Sequence, residues 1–95
     1  MRALIPTKRF LRVIKKLSAK HPEFDLPITQ TLNQLQNDPY HPSLETHHLF
    51  GKLEGLYACT VAYDLRIIFE FEARKPPEMA AIALIDIGTH NQVYR

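Results

Sequence analysis

Cysteine is almost missing from this chain. Cys59 stands alone, so neither an intramolecular disulfide nor a cysteine-rich zinc site can be built; a reducing compartment fits, with Cys59 as a small core residue. Long apolar runs are missing too. The opening MRALIPTKRF is too short in apolar residues for a signal peptide, and nothing later approaches the ~20 needed to span a bilayer, so a cytoplasmic protein with no membrane partner is expected. Repeats and low-complexity segments are absent, and 95 residues allow one hydrophobic core but not two, which predicts a single domain over residues 1–95. The balance of 45% hydrophobic to 23% charged residues excludes disorder, collagen-like repeats and a coiled coil.

Acidic residues are missing from the first 22 positions. Arg2, Lys8, Arg9, Arg12, Lys15, Lys16 and Lys20 all precede the first acid, Glu23, while the rest of the chain carries five basic and ten acidic residues. The basic end suits a polyanion or an acidic protein segment, held with a strength that falls as salt rises. A solvated helix face accounts equally well for any one of these cations.

Pattern supplies the organisation. Met1 to Ile5 is apolar enough for a strand. Phe10, Val13, Ile14 and Leu17 then recur at helical spacing after Pro6-Thr7, and His21-Pro22 stops that helix near Lys20. Phe24, Ile28, Leu32 and Leu35 predict a second helix, with Asp25 as N-cap and Asn37-Asp38-Pro39 as its end. From Leu56 the period changes to two. Tyr57 to Tyr63 reads as a strand, Tyr63-Asp64-Leu65 as a reversal, and Leu65 to Phe71 as a strand with Leu65, Ile67, Phe69 and Phe71 on its core face. Lys75-Pro76-Pro77-Glu78 predicts a turn, and Ala80 to Gly88 a strand apolar enough to be central. The expected fold is α+β, ordered β-α-α-β-β-β: an N-terminal strand and a two-helix hairpin on one face of a small, mainly antiparallel sheet. Tyr40 to Gly55 is its one long irregular stretch.

On the sheet face away from the helices, Thr60, Asp64, Arg66, Asp86 and His90 are the expected polar residues, the last two by even spacing along one strand; such a face can also simply be wet. His47 and His48 sit in the irregular stretch. Adjacent histidines diverge in extended chain, and neither an HxxxH pair nor HExxH presets a metal, so no metal or other cofactor is expected. Imidazoles titrate near neutrality, and two on opposite sides of an RNA phosphodiester could act as base and acid, the 2′-hydroxyl supplying the nucleophile. The lack of a Ser/Cys nucleophile motif, a P-loop and a GxGxxG agrees with such chemistry. Taken singly, each histidine is more often a structural or surface residue.

Three runs carry a resemblance across nearly the whole chain: His47-His48-Leu49-Phe50-Gly51-Lys52-Leu53-Glu54-Gly55, Asp64-Leu65-Arg66-Ile67-Ile68-Phe69 and Gly88-Thr89-His90-Asn91-Gln92-Val93-Tyr94. In order and spacing they resemble the RelE/ParE toxin superfamily, and within it the YafQ-like messenger-RNA interferases. The resemblance implies a RelE-like domain, a toxin that cuts messenger RNA on the ribosome, and a cognate antitoxin that restrains it, with DNA reached only through the antitoxin complex. It implies His47 as general base, Asp64 as a group orienting an imidazole or the RNA, Arg66 against the scissile phosphate and His90 as acid for the leaving 5′-oxygen. Tyr94 would stack on a base, assist proton transfer or only pack the C-terminus. His48, Lys52, Lys15 and Lys16 are the further RNA-contact candidates. One position departs from the pattern: Thr60 stands where YafQ-like enzymes carry a strand histidine, with His48 as a stand-in. Two other readings go with the resemblance, a ParE-like inhibitor of DNA gyrase and a catalytically degenerate corepressor that binds the antitoxin; retention of the loop and terminal histidines favours the nuclease.

Overall fold

The structure is a computed structural model that describes residues 2–73 and 80–94. The elements are β1 (Ala3–Pro6), α1 (Lys8–Lys20), α2 (Asp25–Asn37), β2 (His47–His48), β3 (Tyr57–Ala62), β4 (Leu65–Ala73), β5 (Ala80–Gly88) and α3 (His90–Val93), with short 3-10 turns at Pro22–Phe24, Pro42–Leu44 and Gly51–Leu53. The expected α+β arrangement is present, with a two-residue strand and a short terminal helix added. One sheet runs β1-β5-β4-β3-β2; β1 lies parallel to β5, Ala3 opposite Ala81 and Pro6 opposite Leu84, and the other pairings are antiparallel.

Thr7 fixes where α1 begins. Its backbone is extended and its Oγ1 accepts from the Phe10 N–H, the ordinary N-cap bond, while the same hydroxyl donates to the Leu84 carbonyl at 2.8 Å. The helix start is thereby bolted to β5, an interior strand of the sheet. Phe10 is buried, and Val13, Ile14 and Leu17 pack toward the sheet along the predicted stripe. Asp25 does not cap α2. The helical path already begins at Pro22 in a 3-10 turn, so Phe24 has helical angles at the cap position and no extended residue remains from which a carboxylate could reach back. Asp25 instead accepts from the Ser18 hydroxyl at 2.7 Å, tying the two helices together.

The main core lies between helices and sheet: Phe10, Ile28, Leu35 and Leu44 meet Cys59, Ile67, Phe69, Ile82, Leu84 and Ile87. The opposite face is not simply wet. Leu49, Ala58, Ile68 and Val93 form a second cluster there, edged by Leu53, Leu56, Ile85 and Tyr94, because the 49–56 segment and α3 fold across it. A bulge assists. Ile68 faces Asp86 while Phe69 faces Leu84, so Ile85 is the extra residue, and both Ile85 and Asp86 turn to this second face. The turn expected at Lys75-Pro76-Pro77-Glu78 lies outside the described residues. Among the described residues no helix is long and apolar enough to cross a membrane.

Candidate functional site

The site is built where the β3–β4 turn meets the end of β5. Strand β5 stops at Gly88, whose Cβ position would lie 2.8 Å from Gln92 Oε1 and 3.3 Å from Val93 Cγ1, so only glycine lets α3 fold this tightly against the sheet. Thr89 caps α3: its Oγ1 accepts from the Gln92 N–H and the Gln92 side chain accepts from the Thr89 N–H at 2.8 Å. His90 therefore opens a helix and is not a further residue of the strand, which corrects the even-spacing expectation. Its backbone N–H donates to Asp64 Oδ1 at 3.3 Å, and its exposed ring meets the edge of Tyr94 with 4.4 Å between centroids.

Arg66 lies on the same face as Ile68, opposite Thr60 on one side and Gly88 on the other. Its Nη1 donates to the carbonyls of Ala62, Tyr63 and Leu65 at 3.1, 3.2 and 3.4 Å, so the guanidinium clamps the turn that carries Asp64. Tyr94 is half-buried; burial pushes its phenol up, against the pull of the Arg66 charge, and its Oη is enclosed with no hydrogen-bond partner among the described residues. Asp64, Arg66, His90 and Tyr94 thus form one group.

His47 stands apart from that group on the same face. It pairs with Ala58 at the sheet edge, two strands from β4 and so roughly 10 Å away across the sheet. Its Nδ1 lies 3.0 Å from the Glu45 carbonyl, an acceptor only, so that nitrogen carries a proton and Nε2 is the one that can act as acceptor. The structure does not bring His47 into contact with His90. His48 faces the other way, its ring 4.7 Å from Tyr57 on the helix-bearing side, as alternation in an extended pair requires.

A model of the YafQ family, bacterial toxins of type II toxin-antitoxin systems, matches residues 2–95. The chain belongs to this family. Solved structures agree on the fold. YafQ from Escherichia coli BL21(DE3) superposes with a TM-score of 0.79 at 15% identity over 100% of both chains. In the E. coli DinJ-YafQ toxin-antitoxin complex the figures are 0.76 and 16%, over 99% of this chain and 98% of that one. A metal-bound toxin from Helicobacter pylori gives 0.75 and 23%, over 98% and 99%. No curated protein matches.

In this toxin the remaining candidate residues are dispersed. Lys52 is exposed in the 3-10 turn at Gly51–Leu53, and Lys15 and Lys16 are exposed on α1, across the sheet from Arg66 and Tyr94. Asp86 reaches the expected face but is committed to structure: it accepts from the Ile87 N–H at 2.9 Å and pairs with Arg9 at 3.2 Å. Among the described residues no three His, Cys, Asp or Glu side chains are grouped closely enough to hold a metal ion. Sequence reasoning overlooked Tyr63, 98% exposed at the tip of the clamped turn. An aromatic beside an acid in a two-residue reversal was the available signal.

Proposed function

We propose that this toxin is a ribosome-dependent messenger-RNA endoribonuclease that uses the RNA 2′-hydroxyl as nucleophile and needs no metal. The observation that carries the reading is the gathering of His90, Asp64, Arg66 and Tyr94 on the face that also presents His47 with a free Nε2. His47 takes the 2′-hydroxyl proton, the 2′-oxygen attacks phosphorus, and His90 protonates the departing 5′-oxygen. Arg66 faces the phosphate with the guanidinium nitrogens it does not spend on the turn. Tyr94 supports the His90 ring from its edge. Asp64 holds the His90 backbone and so positions the acid. The proposed partners are ribosome, messenger RNA and a cognate antitoxin, as DinJ is for YafQ.

The test is single-turnover cutting of ribosome-bound messenger RNA with product ends identified. His47→Ala and His90→Ala are each expected to slow cutting by roughly 10²–10⁴ with the circular-dichroism spectrum unchanged. The wild-type ends should be a 2′,3′-cyclic phosphate or its opened form and a 5′-hydroxyl. Unimpaired folded variants, or 5′-phosphate ends, would remove the mechanism and move a gyrase-inhibiting role to the front. Stoichiometric zinc in purified toxin, with cutting lost on its removal and the fold intact, would remove the metal-free chemistry.

A further inference from the structure

A cavity opens beside the cluster. It has a volume of about 640 Å³ and lies between the C-terminal half of α1 and the junction of the β3–β4 turn with β5 and α3. Leu17, Phe24 and Ile87 contribute an apolar floor, and Lys16 and Lys20 stand on one bank. The other bank is the turn itself, with Tyr63 and Asp64, and the groove runs on to Gly88 and Thr89, the residues that lead into His90. Its lining therefore shares Asp64 with the cluster. Lys16 and Lys20 are exposed and belong to a helix with no acidic residue, and neither forms an ion pair among the described residues; His21, by contrast, is occupied by Glu23 at 3.2 Å.

Tyr63 is what gives this groove a direction. Its side chain is almost wholly exposed, which wins nothing for folding, yet its carbonyl is held by Arg66, so the ring is presented from a fixed backbone. An exposed aromatic and two cations on opposite banks of an apolar trough, with the one carboxylate beside the aromatic engaged by the His90 N–H, is a combination that suits single-stranded nucleic acid: a base has a face to stack on and phosphates have counter-charges. An acidic peptide could use the lysines but gives no reason for a bare aromatic at the rim.

We propose that this groove binds the messenger-RNA nucleotides next to the scissile bond, with Tyr63 stacking on a flanking base and Lys16 and Lys20 contacting the phosphates beyond it. The inference rests on the ribonuclease reading and extends it along the strand. It makes Tyr63 a binding residue and turns Arg66 into a positioning residue for it.

The experiment uses the full chain and ribosome-bound messenger RNA carrying 4-thiouridine at successive positions around the cut. Irradiation should attach the label to Tyr63 or to its groove neighbours from one side of the cut only. In parallel, Tyr63→Ala and the double variant Lys16→Gln/Lys20→Gln should raise the half-saturating toxin concentration about tenfold, with much less effect on the rate at saturation, and Tyr63→Phe should restore the wild-type value. If wild-type toxin cuts but these variants saturate as it does, the groove is not a strand site and the nuclease reading survives. If the lysine variant loses only its affinity for antitoxin, the groove belongs to a protein and the proposal is overturned. If wild-type toxin does not cut, the nuclease reading fails by itself, and the cross-link still decides the groove: label away from it removes the RNA assignment.

Discussion

Arg66 has two duties that a lysine cannot share. One nitrogen of a planar fork holds three turn carbonyls and leaves the other donors of the guanidinium for a phosphate, a division that a single ammonium cannot make. Arg66→Lys should therefore slow cutting and also lower the unfolding free energy by roughly 1–2 kcal/mol, since several charge-assisted bonds are weakened, which a thermal melt would register. Cys59 is the opposite kind of residue. Fully buried, its thiol is pushed by burial from 9.0 up to about 12, held as the neutral form that the fold prefers. The sign follows. An acid whose folded value is raised adds stability that is complete below pH 9 and is lost as pH climbs toward 12, so Cys59→Ala should flatten that alkaline decline in denaturant midpoints. Native toxin should resist alkylation at pH 8 and react at once in denaturant; rapid native labelling would show the burial to be wrong.

At the scale of elements, α3 is the piece on which the site depends. Thr89→Ala removes the N-cap bond and should cost about 1 kcal/mol. Gly88→Ala is expected to do more to cutting than to stability, because the new methyl pushes Gln92 out of its capping bond and moves His90 away from Asp64. Cutting rate and melting temperature, measured together, separate the two effects. The sequence made the long elements legible through their periods: Phe10 to Leu17 at helical spacing, and Leu65 to Phe71 alternating. It concealed β2, since two residues have no period, and the bulge at Ile85, since Ala-Ile-Ala-Leu-Ile is apolar in either parity. The terminal helix did carry a signature, Thr89 followed three residues later by Gln92. The approach of Asp64 to His90 was not legible by any local rule, because it follows from the pairing of Arg66 with Gly88. Thr60 stands directly opposite Arg66 on β3.

Taken whole, the molecule is electrically divided, with every acid downstream of α1. Arg9 is spent on Asp86, so the charges free to meet a polyanion include Lys8, Arg12 and Lys15. Replacing these three with glutamine should weaken ribosome binding and make the log–log salt slope shallower by roughly 2, the release expected for three single-strand phosphates; an unchanged slope would return the helix to a solvated surface. The sheet adds a matter of timing. β5 lies between β1 and β4, and β1 has no strand partner until β5 exists, because Ala3 pairs with Ala81 and the Thr7 hydroxyl bonds the Leu84 carbonyl. The closing contact joins distant parts of the chain and is the kind that forms late. A ribosome making this protein thus holds, until β5 has been added, a chain with no completed sheet and no His90 beside Asp64. A chain interrupted before that point lacks both the closing strand pair and the Asp64–His90 contact, so the proposed site exists only once synthesis has passed β5.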